Sequence, residues 1–188
     1  MRMILAALAV GCTHKAKYVD PDAESKVEGT GIESRDVRAV AGQMASDLLQ
    51  APVLSNTQTP PRIAVLDVEN RSRFLIDAEI FSTLITDELI SASAGRLAIV
   101  NRDLIDEIQK ERSMKASGEV SDVGRLQALA GVDYFLEGTV ESLSASTSDA
   151  QTDYVVVRFQ LTNAETGIIG WSNRYEMKKE GSWGVMYQ

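Results

Sequence analysis

Apolar positions along this chain change their spacing part-way. Val37, Val40, Ala41, Met44, Leu48 and Leu49 recur at intervals of three and four. That spacing predicts a helix with one apolar face, capped by Ser34 and ended by Pro52. A turn-rich loop follows from Ser55 to Pro61. Arg62 to Val68 is short and β-branched and reads as a buried strand, and Glu69 to Arg73 reads as a polar loop. Asp77 to Ala92 gives the strongest helical pattern. Asp77 is its cap, and Ile80, Phe81, Leu84, Ile85 and Leu89 form its apolar face, with Ile90 at the border and Asp87 and Glu88 toward solvent. Gly95 permits a turn into a short strand, Leu97 to Val100. Asn101 can cap a helix carrying Leu104, Ile105 and Ile108, with a loop from Met114 to Glu119. Ser121 can cap one more short helix with Val123, Leu126 and Leu129, closed by Gly131.

In the last third the period falls to two. Tyr134 to Val140 is one strand. Tyr154 to Leu161 is the next, with Val155, Val157, Phe159 and Leu161 alternating against Val156, Arg158 and Gln160. Asn163-Ala164-Glu165-Thr166-Gly167 is a hairpin turn signal, and Ile168 to Tyr175 is the third strand. Strands following a βα-rich half predict an α/β (α+β) fold, a small mixed β-sheet flanked by helices. Val65, Leu84, Ile85 and Val157 are expected to be buried together where the long helix meets the sheet.

The N-terminus has a different character. Arg2 precedes the apolar run Ile4 to Gly11, and the chain's single cysteine, Cys12, follows it. A positive residue, a short apolar core and a small residue before a cut make a secretory signal. Ala9-Val10-Gly11-Cys12 resembles a bacterial lipobox, with Ala9 in the place usually held by leucine. The expected organisation is a signal peptide over residues 1–11, a lipidated flexible tether over 12–29 with Cys12 as the acylated residue, and one globular domain over 30–188. Thr13 after the cysteine, rather than Asp, points to outer-membrane retention by the lipoprotein sorting pattern.

Composition narrows the function. The chain has 188 residues, 44% of them hydrophobic, and a formal net charge of −8. That charge argues against nucleic acid, whose phosphates call for a basic footprint. His14 is the only histidine and lies in the tether, so no Ser-His-Asp or Cys-His centre is suggested. No Cys/His cluster suggests zinc. Asp106-Glu107 reads as a solvated helix face, and Gly29-Thr30-Gly31 is too short for a phosphate loop. Trp171 reads as packing along the last strand, while Trp183 reads equally well as packed or exposed. No catalytic residue, metal or cofactor is expected.

Four stretches carry a family likeness. They are Val68-Glu69-Asn70-Arg71-Ser72 after the first strand, Ile76-Asp77 with Phe81 at the long helix, Gly131-Val132-Asp133-Tyr134-Phe135-Leu136, and Glu165-Thr166-Gly167-Ile168-Ile169-Gly170-Trp171-Ser172. In that order, and with the lipobox, they resemble the LpoB-type outer-membrane lipoproteins that activate penicillin-binding proteins. The likeness runs over about residues 30 to 178. It implies a fold similar to the N-terminal domain of TolB. It also implies a lipid-anchored periplasmic domain that binds and stimulates a class A penicillin-binding protein in peptidoglycan synthesis. The alternative is a structural or assembly lipoprotein of an envelope or secretion complex. Two features depart from the family pattern. The span from Cys12 to Ser34 reaches at most about 75 Å at full extension, and the tail from Gly181 to Met186 has no family counterpart. The candidate partner-binding residues are Glu69, Asn70, Arg71, Arg73 and Phe74, which set hydrogen-bond donors beside an aromatic ring. Charge reversal at Arg71 and Arg73 is expected to weaken partner binding and to leave the fold intact, because loop residues contribute little to the core.

Overall fold

A computed structural model describes residues 16–25, 29–55, 57–121 and 127–181. The elements run α1 (Ser34–Leu49), α2 (Pro52–Ser55), β1 (Arg62–Arg71), α3 (Glu79–Ser93), β2 (Ala98–Ile99), α4 (Ile105–Ser117), β3 (Tyr134–Ser146), β4 (Gln151–Asn163) and β5 (Ile169–Gly181). They build one five-stranded mixed sheet in the order β2-β1-β3-β4-β5. β1 is parallel to both β2 and β3, while β3, β4 and β5 form an antiparallel meander. The meander follows from its turns. Asn163 Oδ1 accepts from the backbone N–H of Glu165 at 3.1 Å and of Thr166 at 2.8 Å. Gly167 then takes φ 69°, a conformation that suits glycine.

α1 and α3 pack on each other and cover one face of the sheet, α1 toward β5 and α3 toward β1. Val40, Met44 and Leu48 of α1 and Phe81, Ile85 and Leu89 of α3 are buried against Ile63, Leu136, Val140, Val155, Val157, Phe159 and Leu161. Burying each such side chain fully stabilises the fold by about 1.5–3 kcal/mol. The other face, left open by α1 and α3, carries Glu137, Thr139, Glu141, Arg158 and Gln160. Gly138 sits where no side chain fits: a Cβ there would lie 2.7 Å from the Phe159 ring and 2.9 Å from Val68.

Several elements differ from their expected form. The N-cap of α1 is Glu33, whose N–H donates to Asp36 Oδ2 at 2.8 Å, while the Ser34 hydroxyl donates to the Pro21 carbonyl at 2.6 Å. Pro52 opens the single turn α2 rather than closing α1. Ala78 is the N-cap of α3, and Asp77 Oδ1 accepts from Glu79 N at 3.2 Å. Ile80 is exposed, and Leu84 and Val65 are only partly buried, so of the four expected core residues only Ile85 and Val157 are fully enclosed. β1 does not stop at Val68. A bulge between Val65 and Val68 turns Leu66 and Asp67 to solvent, after which pairing with β3 resumes through Glu69, Asn70 and Arg71. α4 runs through the expected Met114–Glu119 loop and ends at Gly118 in the left-handed region, yet it buries no side chain. Most of the short helix expected after Ser121 lies outside the described residues, and 127–131 form no helix. All three strands of the meander extend beyond their expected bounds. Trp171 packs against the core from β5, as its alternation implied. Cys12 and Trp183 lie outside the described residues.

Candidate functional site

The five candidate residues lie at the end of β1 and in the loop that leaves it, and the structure divides them. Glu69 and Arg71 point to the open face of the sheet, opposite Thr139 and Glu141 of β3. Arg71 Nη2 meets Glu69 Oε2 at 2.6 Å and Nη1 lies 3.8 Å from Glu141 Oε1. The hydrogen bond and charge of Arg71 hold the Glu69 carboxyl below its usual range. With Leu66, Asp67, Glu137, Gln160 and Arg158 these residues line a shallow depression of about 250 Å³ on the open face. Asp67, Glu69, Glu137 and Glu141 outnumber Arg71 and Arg158 there, so the surface is acidic.

Asn70 organises the loop. Its Oδ1 accepts from Ser72 N at 2.9 Å and from the Ser72 hydroxyl at 2.6 Å, and its Nδ2 donates to the Phe74 carbonyl at 2.8 Å. Phe74 itself is buried in the core. Arg73 folds back over it, with Cζ 4.8 Å from the ring centroid. Its guanidinium grips Asp153 of β4, with Nε 2.7 Å from Oδ1 and Nη2 2.5 Å from Oδ2. Asp153 is 1% exposed. Besides Arg73 it accepts from the hydroxyls of Thr30 and Ser144 and from Gln151 Nε2. Burial pushes this carboxyl up, but the bonds from Arg73, Ser144, Thr30 and Gln151 outweigh it and hold the group well below the carboxylate range. Asp153 thus ties the loop after β1, the β3–β4 hairpin and the segment before α1 to one point.

This geometry corrects the expectation about charge reversal. Arg71 lies on the surface and can be reversed there, but reversing Arg73 would set an anion against a buried one. The sequence reading missed Asp153, although a signal existed. Asp153 falls in phase with Val155, Val157, Phe159 and Leu161, the inward positions of β4. Lys179 keeps the same phase as Trp171, Tyr175 and Met177 in β5. It reaches Asp36 Oδ2 at 2.5 Å, the Gly31 carbonyl at 2.8 Å and Glu33 Oε1 at 3.2 Å. Among the described residues no group of three or more His, Cys, Asp or Glu side chains is placed to hold a metal ion.

The family model for the peptidoglycan-synthase activator LpoB matches residues 36–177, which takes in nearly all of α1 and of the sheet. The chain belongs to the LpoB family. Its function is therefore that of a peptidoglycan-synthase activator, as the resemblance in the sequence implied. Among solved structures, the LpoB C-terminal domain from Escherichia coli is similar at 20% identity with a TM-score of 0.46, over 76% of this chain and 98% of that one. The corresponding domain from Salmonella enterica is similar at 16% identity, with the same TM-score and coverage. Lipoprotein GNA1162 from Neisseria meningitidis is similar at 19% identity and a TM-score of 0.38, over 64% of this chain and 84% of that one. No curated protein matches the LpoB-family chain significantly. Membership rests on the family match, which spans the domain that carries the open face and the Asp153 anchor.

Proposed function

We propose that this LpoB-family domain is a non-enzymatic activator that binds a class A penicillin-binding protein, held near it by an outer-membrane lipid anchor on Cys12. The family match over residues 36–177 carries this reading. The site geometry fits it: the open sheet face presents the paired side chains of Glu69 and Arg71 in an acidic depression. Activation then works by differential affinity. The domain binds the synthase's active conformation more tightly and shifts its population toward that state. Glu69 and Arg71, at the end of β1, make the contacts, and Asn70, Arg73 and Phe74 hold the loop that follows them. The test is to add the purified chain to a class A synthase from the same organism and measure glycan polymerisation and crosslinking. A rise in either rate, with no activity from the chain alone, is expected. Neither binding nor stimulation of any such synthase would overturn the reading.

A further inference from the structure

β5 is an edge strand. β4 occupies one side of it, and among the described residues no strand pairs with the other. It runs for 13 residues without a proline, about 44 Å at 3.4 Å per residue. Natural edges are usually short, interrupted, covered or guarded by charge, because a long row of backbone donors and acceptors invites another strand; the charges of β5 are already paired within the chain, Lys179 with Glu33 and Asp36. The register with β4 fixes which way each side chain of β5 points. Trp171, Asn173, Tyr175, Met177 and Lys179 lie opposite the inward residues Leu161, Phe159, Val157, Val155 and Asp153. Ser172, Arg174, Glu176, Lys178 and Glu180 therefore share the open face. Arg174 pairs with Glu176, and Lys178 Nζ with Glu180 Oε1 at 2.8 Å, along the strand itself.

We propose that β5 pairs antiparallel with β5 of a second copy of this chain, about a two-fold axis at Tyr175, joining two five-stranded sheets into one of ten. The charges on the strand are complementary to their own reverse. About Tyr175, Arg174 faces Glu176 of the second copy and Glu176 faces its Arg174. Ser172 faces Lys178, so no like charges are opposed. On the inner side Trp171 faces Lys179, Asn173 faces Met177, and Tyr175 faces itself. Moving the axis one residue to Arg174 opposes two arginines. Moving it to Glu176 opposes two glutamates and also sets Arg174 against Lys178. Tyr175 is the midpoint of β5, so this axis uses the whole strand. An axis at Met177 leaves the first four residues unpaired. The interface is isologous and closes after two copies, leaving both helical layers on the same side of the joined sheet.

The test uses the membrane-anchored chain with Tyr175→Cys, oxidised mildly in envelope membranes and run without reductant beside the unmodified chain, whose single cysteine, Cys12, is the acylated residue of the proposed anchor. A linked dimer of twice the mass of the mature chain is expected from the variant alone. Adding Arg174→Glu opposes Glu to Glu twice and should cut the dimer by about fivefold or more. The swap Arg174→Glu with Glu176→Arg restores the complementarity and should restore the dimer. If Tyr175→Cys fails to fold, light scattering of the detergent-solubilised chain with the same charge variants reads the same loss and rescue. A chain that stays monomeric, a dimer indifferent to Arg174→Glu, stronger linkage through Met177→Cys, or linkage to a protein of another mass each overturns the proposal.

Discussion

Removing Arg73 should unlock the end of the sheet that carries the candidate surface. Asp153 is 1% exposed, and two of the five hydrogen bonds it accepts come from the Arg73 guanidinium. In Arg73→Ala the carboxylate keeps Thr30, Ser144 and Gln151 but loses its only ion-pair partner among the described residues. Breaking a buried pair from one side costs about 3–5 kcal/mol. The Arg73 side chain is 41% exposed, so solvent screens part of that, and about 2–3 kcal/mol is expected. Urea unfolding followed by tryptophan fluorescence measures it as a lower midpoint at unchanged slope. The pair should also appear as coupling of about 1 kcal/mol or more in a double-mutant cycle with Asp153→Asn. The pH dependence carries the same signature. The Asp153 carboxyl titrates lower in the folded chain than in the unfolded one. Its stabilisation is therefore complete above the unfolded value of about 3.9 and is lost as pH falls below it toward the folded value. Arg73→Ala should flatten that acid limb. A loss under about 0.5 kcal/mol, the range of surface substitutions, with an unchanged acid limb would refute the anchor.

Four further outcomes follow. Gly138→Ala drives a methyl into the Phe159 ring and Val68 and should cost about 1–3 kcal/mol in the same unfolding assay. Ile85→Ala should cost about 2–5 kcal/mol, and Leu84→Ala on the half-buried side of α3 clearly less. Ala94 holds φ 50° at the end of α3, so Ala94→Gly should raise stability by about 0.5–1 kcal/mol, seen as a higher thermal midpoint. Reversing Glu69 and Arg71 together keeps their mutual pair, so the unfolding midpoint should hold within about 0.5 kcal/mol, while synthase binding measured by calorimetry weakens.

The meander was legible because each of its cues is local. Alternation at Val155, Val157, Phe159 and Leu161 gave β4 its face, and the Asn163–Gly167 turn gave its direction. The inner face of α1 was legible for the same reason. Strand ends were not, because polar residues such as Ser144, Gln151 and Lys178 continue a ladder through backbone bonds that their side chains do not announce. The β1 bulge was hidden because Leu66 looks like core in sequence, and only the register against β3 shows that it and Asp67 are expelled. At the candidate site, an Asn-Arg-Ser run reads as a loop whichever way its side chains turn. The partner that draws Arg73 inward is Asp153, 80 residues away. Its one local trace is a charge in an apolar phase. α4 read as an amphipathic helix, but amphipathicity does not supply the surface to bury against, and α4 buries nothing.

The most direct test of the account is the rate of glycan polymerisation by a purified class A penicillin-binding protein from the same organism, titrated with the purified chain. The account predicts a saturable rise in rate, no activity from the chain alone, and a right-shifted curve when Glu69 and Arg71 are reversed. A synthase rate that stays flat across a saturating titration, with no complex detected, would contradict it.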